Sequence, residues 1–281
     1  MANRFCHKQQ VALWLLLLIL AQVLNGTPTH AGERNNRPVI KKAPSTLPFK
    51  VGEKLTFKIE WLFIDAGIAV SAIPESVVEN GRDLLHFTLH TYTANTMAHI
   101  WTMDDHFHSF WDVKTRSTKR FTVKIRESTY KKDKLLEFDH RKGVVTVTKN
   151  SDKPKEFEAI KGAQDFFMAG HNTRLLPLKM GGEYHYPVFE DDKNYDAKIK
   201  VLKKERIKVR GGEIDTIKIH PIMSFEGAFV TKGDLHVWLS DDKYRAPVKF
   251  KLKTLFGSVY LTLIEYQGVD LTIIKEEKKR E

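Results

Sequence analysis

From Val51 to about Gln267 the chain alternates apolar and polar side chains with a period of two. Leu55, Phe57, Ile59 and Trp61 alternate with Thr56, Lys58 and Glu60. Phe121, Val123 and Ile125 alternate with Thr122, Lys124 and Arg126, and Ile199 and Val201 with Lys198 and Lys200. Phe250 and Leu252 stand among Lys249, Lys251 and Lys253. Successive side chains of a strand point to opposite faces, so each run can bury one face and wet the other. Wound as a helix, the same runs would scatter their apolar residues around the axis.

Turn signals separate the runs: Asn80-Gly81, Lys142-Gly143, Asn150 to Pro154, Gly181-Gly182, Gly211-Gly212 and Asp241-Asp242. Pairs such as Asn-Gly and Gly-Gly suit tight hairpins that need positive φ. About a dozen short-linked strands follow, which is the layout of an all-β fold. The expected architecture is an antiparallel, strongly curled sheet, barrel-like or spiral, with one short helix. No helix-period segment recurs between strands, which argues against a doubly wound parallel sheet. The one expected helix begins at Asp165 as N-cap, runs through Phe166 toward Arg174 and stops before Pro177. Phe166, Ala169 and Gly170 would share the face that plugs the sheet. No segment repeats at a fixed period.

The N-terminus has a separate logic. Arg4, His7 and Lys8 precede the apolar run Val11 to Ala21, and Thr29-His30-Ala31 offers small residues beyond it. This is the order of a secretory signal peptide, expected over residues 1–31. The run is shorter than the roughly 20 residues of a bilayer span; the alternative is an uncleaved anchor. The only cysteine, Cys6, precedes the run, whereas a lipidated cysteine must follow it. Cleavage after Ala31 removes two of the 46 cationic side chains and none of the 35 acidic ones, leaving a formal charge of +9 with His neutral. It also leaves no thiol, so disulfides, thiolate ligands and cysteine nucleophiles are excluded from the mature chain. Residues 32–50 read as a flexible leader, 51–267 as a single β-domain and 268–281 as a charged tail.

Candidate sites follow from residue type and alternation. In Met103-Asp104-Asp105-His106-Phe107-His108, Asp104, His106 and His108 share one face and could hold Zn²⁺. Phe107 has the stronger claim on the core, so the histidines are expected in solvent and no metal or other cofactor is expected. No Gly-x-Ser-x-Gly, no His-Glu-x-x-His and no glycine-rich phosphate loop occurs, and the chain is expected not to be an enzyme. Along residues 198–210 the even positions Lys198, Lys200, Lys204, Arg206, Lys208 and Arg210 would form a cationic stripe interrupted by Leu202. Such a stripe serves as a solvated face that resists aggregation, or as a contact for an anionic envelope surface. The export signal disfavours nucleic acid. Trp61, Trp111, Phe166 and Trp238 could fill the core or line a site for a lipid or other apolar ligand.

Several segments together resemble a bacterial exported family known as domain of unknown function 3108. They are Val51 to Phe57 with Trp61, Ile64, Ala66 and Gly67; Asp105 to Phe110; Gln164 to Phe167; Arg174 to Leu178; and Lys232 to Asp242 with Arg245, Pro247-Val248 and Gly257-Ser258. The resemblance covers roughly residues 48 to 267 and implies a periplasmic, barrel-like or spiral β-protein, similar in outline to carriers that hold lipid chains in a cavity. It assigns no catalytic residue. The resulting expectation is a soluble, non-catalytic periplasmic protein that binds a lipid-like ligand or an envelope partner, with no transmembrane segment after cleavage. The alternatives are an interaction protein with no cavity, or a metal-dependent enzyme using Asp104, His106 and His108.

Overall fold

The computed structural model describes residues 46–94, 97–225, 228–229, 234–254 and 257–275. The expected signal peptide, Cys6 and most of the leader lie outside them. The strands are β1 Lys54–Trp61, β2 Ile64–Glu79, β3 Arg82–Thr93, β4 Asp104–Asp112, β5 Ser117–Glu127, β6 Tyr130–Asp139, β7 Val144–Lys149 and β8 Lys155–Glu158. After the helix α1, Phe166–Asn172, come β9 Glu183–Glu190, β10 Lys193–Val209, β11 Gly212–Phe225, β12 Ala228–Phe229, β13 Asp234–Ser240, β14 Pro247–Thr254 and β15 Gly257–Gln267.

All belong to one antiparallel sheet in the order β8-β7-β6-β5-β4-β3-β2-β1-β15-β14-β13-β11-β10-β9, with β12 added to β11. The sheet curls, because strands far apart in that order meet. Phe138 of β6 and Phe189 of β9 touch edge to face with centroids 6.2 Å apart, Lys134 of β6 pairs with Glu190 of β9, and Lys149 of β7 reaches Asp192 at 2.6 Å. Gln164 closes the approach: its N–H donates to the Pro187 carbonyl (3.0 Å) and its carbonyl accepts from Phe189 (2.8 Å). The Asn80-Gly81, Lys142-Gly143 and Gly211-Gly212 turns join neighbouring strands where expected. Asn80 and Gly81 both have positive φ (52° and 72°) between β2 and β3.

Asp165 caps α1 as expected. Its buried carboxylate accepts from the N–H groups of Phe167 and Met168 (2.9 Å each) and from the hydroxyls of Ser109 and Thr118 (2.7 Å each). These four bonds offset part of what burial costs a carboxylate, and burial still raises its pKa. The plug buries Ala169 and packs Phe166 inward as expected, but its buried face is broader and leaves out Gly170. Phe167, Met168, Ala169, His171 and Asn172 are buried, whereas Gly170 is exposed. Both ends of the β-domain also extend further than expected. Phe49, assigned to the leader, sits in the core with edge-to-face contacts to Phe87 (5.2 Å) and Trp111 (5.7 Å). Val269 and Leu271, assigned to the tail, are buried, and Ile274 exchanges two backbone hydrogen bonds with Glu213.

Candidate functional site at the rim of the sheet

β1 and β2 are joined by Leu62 and Phe63, both at positive φ (49° and 67°). A two-residue hairpin of this hand favours Asn-Gly, because a bulky L-residue there brings its Cβ against backbone oxygen. Leu and Phe are poor choices for such a turn on conformational grounds. They are also poor choices for solubility: Phe63 is fully exposed, and Leu62 and Ile64 are about half exposed (47% and 48%). Trp61, at the end of β1, is half-buried against the cluster that holds Phe57 and Ile59.

Neighbouring elements reach this tip. A Cβ placed on Gly257 would lie 2.7 Å from Leu62 Cδ2, so the start of β15 abuts the β1–β2 turn. The sequence between β14 and β15 is again Leu-Phe, at 255 and 256, outside the described residues. On the other side Ala94 donates to the Ala66 carbonyl (3.1 Å), which brings the β3–β4 connection to the same rim with Ile100 exposed. Lys58 stands just below, 3.0 Å from Glu60 and 3.3 Å from Asp65. The hydrogen bond that its ammonium donates to Glu60 is the main cause that raises its pKa.

The expected Asp104–His106–His108 face exists on the outside of β4, while Asp105, Phe107, Ser109 and Trp111 are buried inside. The three polar residues do not form one centre. Asp104 Oδ1 lies 3.2 Å from His106 Nε2 and 2.7 Å from Nε2 of His90, which stands opposite His106 on β3. His108 turns instead to His86 (Nδ1 to Nε2, 3.0 Å), whose Nδ1 is 3.1 Å from Glu75. The His90 bond holds the Asp104 carboxyl below its usual range, and burial lowers the His108 pKa.

The aromatic candidates do not converge. Trp111 and Phe166 join the interior around α1: Phe166 meets Phe107 at 5.8 Å and Phe121 at 5.2 Å, and Trp111 is fully buried. Trp238 belongs to neither group. Its indole N–H donates to Glu205 (2.9 Å), and the ammonium groups of Lys218 and Lys249 lie 4.7 and 5.8 Å from its ring.

The cationic stripe is not continuous either. The β10–β11 register passes from Val201↔Ile219 to Lys203↔Lys218, which makes Leu202 a bulge. One extra residue exchanges the faces of everything beyond it. Lys198 and Lys200 therefore lie on one face and Lys204, Arg206 and Lys208 on the other; Arg210 follows β10. Packing agrees: Ile199 and Val201 join Ile217 and Ile219, whereas Ile207 and Val209 join Ile214 in another cluster. Acidic neighbours meet the cations. Lys200 pairs with Glu183 (3.1 Å), with Lys198 at 3.7 Å from the same group; Lys204 pairs with Asp241 (2.6 Å) and Arg206 with Asp215 (2.8 Å).

A buried serine and histidine also meet, Ser71 Oγ and His171 Nε2 at 3.4 Å. Burial and then the Arg174 charge lower the imidazole to about 3. Its Nδ1 has no hydrogen-bond partner among the described residues. A base that weak and unoriented does not activate a hydroxyl near neutral pH. Among the described residues no helix is long and apolar enough to cross a membrane.

A family model described as a protein of unknown function (DUF3108) matches residues 56–264. No curated protein matches. Among solved structures, a beta-barrel-like protein of the DUF1849 family from Brucella abortus is similar at TM-score 0.53 and 11% identity, over 78% of this chain and 98% of that one. That likeness is one of fold. Looser likenesses are a protein from Parabacteroides distasonis provisionally named a lipoprotein (TM-score 0.36, 9% identity, 78% and 97% covered) and one with a YmcC-like fold from Bacteroides fragilis provisionally named as exported (0.32, 10%, 78% and 97%).

Proposed function

The chain belongs to the DUF3108 family, and on that premise we propose that it is an exported, non-catalytic protein of the cell envelope that docks on a lipid surface through the rim at Leu62 to Ile64. The observation that carries this reading is the β1–β2 turn. It keeps two large apolar residues at positive φ and exposes both, against conformational preference and against solubility. A turn of that composition is useful where its tip leaves water. Trp61 beneath the tip is the residue type favoured at a membrane–water boundary. The cationic surplus of the chain and the apolar run that opens the sequence support the same setting.

An apolar ligand held inside the sheet fits less well around α1. There Phe49, Phe87, Phe107, Trp111, Phe121 and Met168 already pack against one another. A lipid chain entering at that level would have to displace the helix and the bonds that fix Asp165.

The test uses mature protein and vesicles of phosphatidylethanolamine and phosphatidylglycerol. Co-sedimentation is expected for the wild type. The double variant Leu62→Asn, Phe63→Gly builds a turn better suited to its φ values while removing the apolar tip, so it should stay folded. It is expected to lose vesicle binding at least about tenfold, since each large apolar side chain contributes about 1.5 to 3 kcal/mol when buried. A folded double variant that binds like wild type overturns the proposal, as does a wild type that ignores vesicles. Retention of a protein partner but no lipid would favour the interaction-protein alternative.

A further inference from the structure

We propose that His90, Asp104 and His106 form a binding site for a divalent transition-metal cation such as Zn²⁺, and that His220, Asp234 and His236 form a second. The proposal does not depend on the lipid reading.

In the first cluster one ligand atom from each residue lies within 4.8 Å of the other two. The two imidazole Nε2 atoms stand 2.7 and 3.2 Å from one carboxylate oxygen. In a tetrahedral zinc site, with metal–ligand bonds near 2.0 to 2.2 Å, ligand atoms lie roughly 3.3 Å apart. A small rotation of His90 away from Asp104 reaches that spacing. Two neutral imidazoles and a carboxylate are a common catalytic-type zinc set, with the fourth position left to water. Both histidines and Asp104 keep enough exposure to admit that water.

The scaffold is suitably stiff. β3 is paired on both sides by β2 and β4, and β4 by β3 and β5. His90 and His106 are direct cross-strand partners, and their rings stack nearly parallel with centroids 4.1 Å apart. The site therefore forms without ordering a loop, which lowers what binding must offset. Lys124 opposes it from the next strand, across from His106. Its charge is near water and is screened by salt.

The second cluster repeats the first elsewhere in the sheet. In the β11–β13 register Ile219 faces Val237, which continues to His220 beside His236, with rings stacked 5.0 Å apart. Asp234 precedes His236 by two residues, as Asp104 precedes His106, and lies 3.4 and 3.5 Å from the two Nδ1 atoms. A lysine again stands across from the second histidine: Lys251 opposite His236, as Lys124 opposite His106. The same cross-strand constellation thus occurs twice, each time on the polar face. The second site is less prepared, because His220 Nδ1 also lies 2.8 Å from the Leu235 carbonyl. To bind through that atom, His220 must release this hydrogen bond.

The test is calorimetric titration of chelator-treated mature protein with ZnCl₂ alone, slightly above neutral pH where imidazoles are unprotonated. Two equivalents are expected, the tighter at the first site. His90→Gln with His106→Gln should remove one equivalent and leave circular dichroism unchanged, because these side chains are partly exposed. His220→Gln with His236→Gln should remove the other. His90→Gln alone should weaken the tighter event at least about tenfold, the loss already seen when merely supporting groups of metal sites are removed. Absence of saturable Zn²⁺ binding, or full stoichiometry in a folded variant lacking all four histidines, overturns the proposal. A single equivalent lost with His90 and His106 supports the first site and overturns the second.

Discussion

Arg174 and Glu53, 121 residues apart in sequence, meet as a two-pronged ion pair sealed from water: Nη1 to Oε1 at 2.6 Å and Nη2 to Oε2 at 2.8 Å. Two further guanidinium N–H groups donate to the carbonyls of Pro48 (Nη2, 3.0 Å) and Tyr244 (Nε, 3.0 Å). One side chain thus ties the segment before β1, the end of the α1 region and the β13–β14 connection. These are the segments around Val51 to Phe57, Arg174 to Leu178 and Ser240 to Arg245 on which the family resemblance was drawn. Arg174 and Glu53 therefore have a structural role here, in seating the plug.

Breaking that pair from one side leaves a buried charge without its partner. Arg174→Met or Glu53→Gln is expected to destabilise the fold by about 3 to 5 kcal/mol. The joint variant should lose less than the sum of the two, because it strands neither charge. Urea unfolding followed by tryptophan fluorescence measures this; additive losses contradict it.

A second buried pair makes stability depend on pH. Asp105 and Glu127 lie together on the inner face, where burial chiefly raises both carboxyl pKa values and the pair holds a proton in the range from about 6 to about 8. Asp105 Oδ2 and Glu127 Oε1 have no hydrogen-bond partner among the described residues, which suits a pair that keeps a proton. The unfolded groups titrate near 3.8 and 4.5. Below those values both states hold the protons and stability is at its full level. As pH rises toward about 8 the unfolded chain releases them first, so this contribution falls. Glu127→Gln should flatten the decline between acid and mildly alkaline pH in urea titrations. An unchanged slope contradicts the shared proton.

The Leu62-Phe63 turn should be a site of stored strain. Leu62→Asn with Phe63→Gly is expected to raise stability by about 1 to 2 kcal/mol by relieving two unfavourable φ values. Thermal unfolding checks this, and a clear loss of stability would mean that the apolar tip packs in the isolated protein.

The exposed cations of β10 should matter little to folding. Lys204→Gln with Arg206→Gln and Lys208→Gln is expected to change unfolding free energy by no more than about 0.5 kcal/mol per site. Lys204 and Arg206 pair with Asp241 and Asp215 at the surface, so added salt should weaken the wild type slightly more than the variant. A variant that fails to fold contradicts this placement.

Alternation made the β-architecture legible because one face of each strand is buried, and the Asn80-Gly81 turn was legible from positive-φ chemistry. The β1–β2 turn was not, because Leu62 and Phe63 carry no turn signal. The bulge at Leu202 was hidden because its neighbours are nearly all lysine, so a one-residue slip leaves the composition unchanged. Asp104 and His106 were found by their spacing within one strand. Their partner His90 was missed because it comes from the β3–β4 register, which local spacing does not contain. Arg174 and Glu53 were noticed only as parts of motifs, since long-range pairing of charges leaves no local trace.

The most direct measurement of the lipid-docking account is hydrogen–deuterium exchange of the mature protein with and without phosphatidylethanolamine–phosphatidylglycerol vesicles. Turn amides at a water-exposed tip exchange quickly, and insertion of the tip should slow them. The account predicts new protection in peptides covering Trp61 to Ile64, with residues 198–210 unchanged. Protection confined to residues 198–210, or none anywhere, would contradict it.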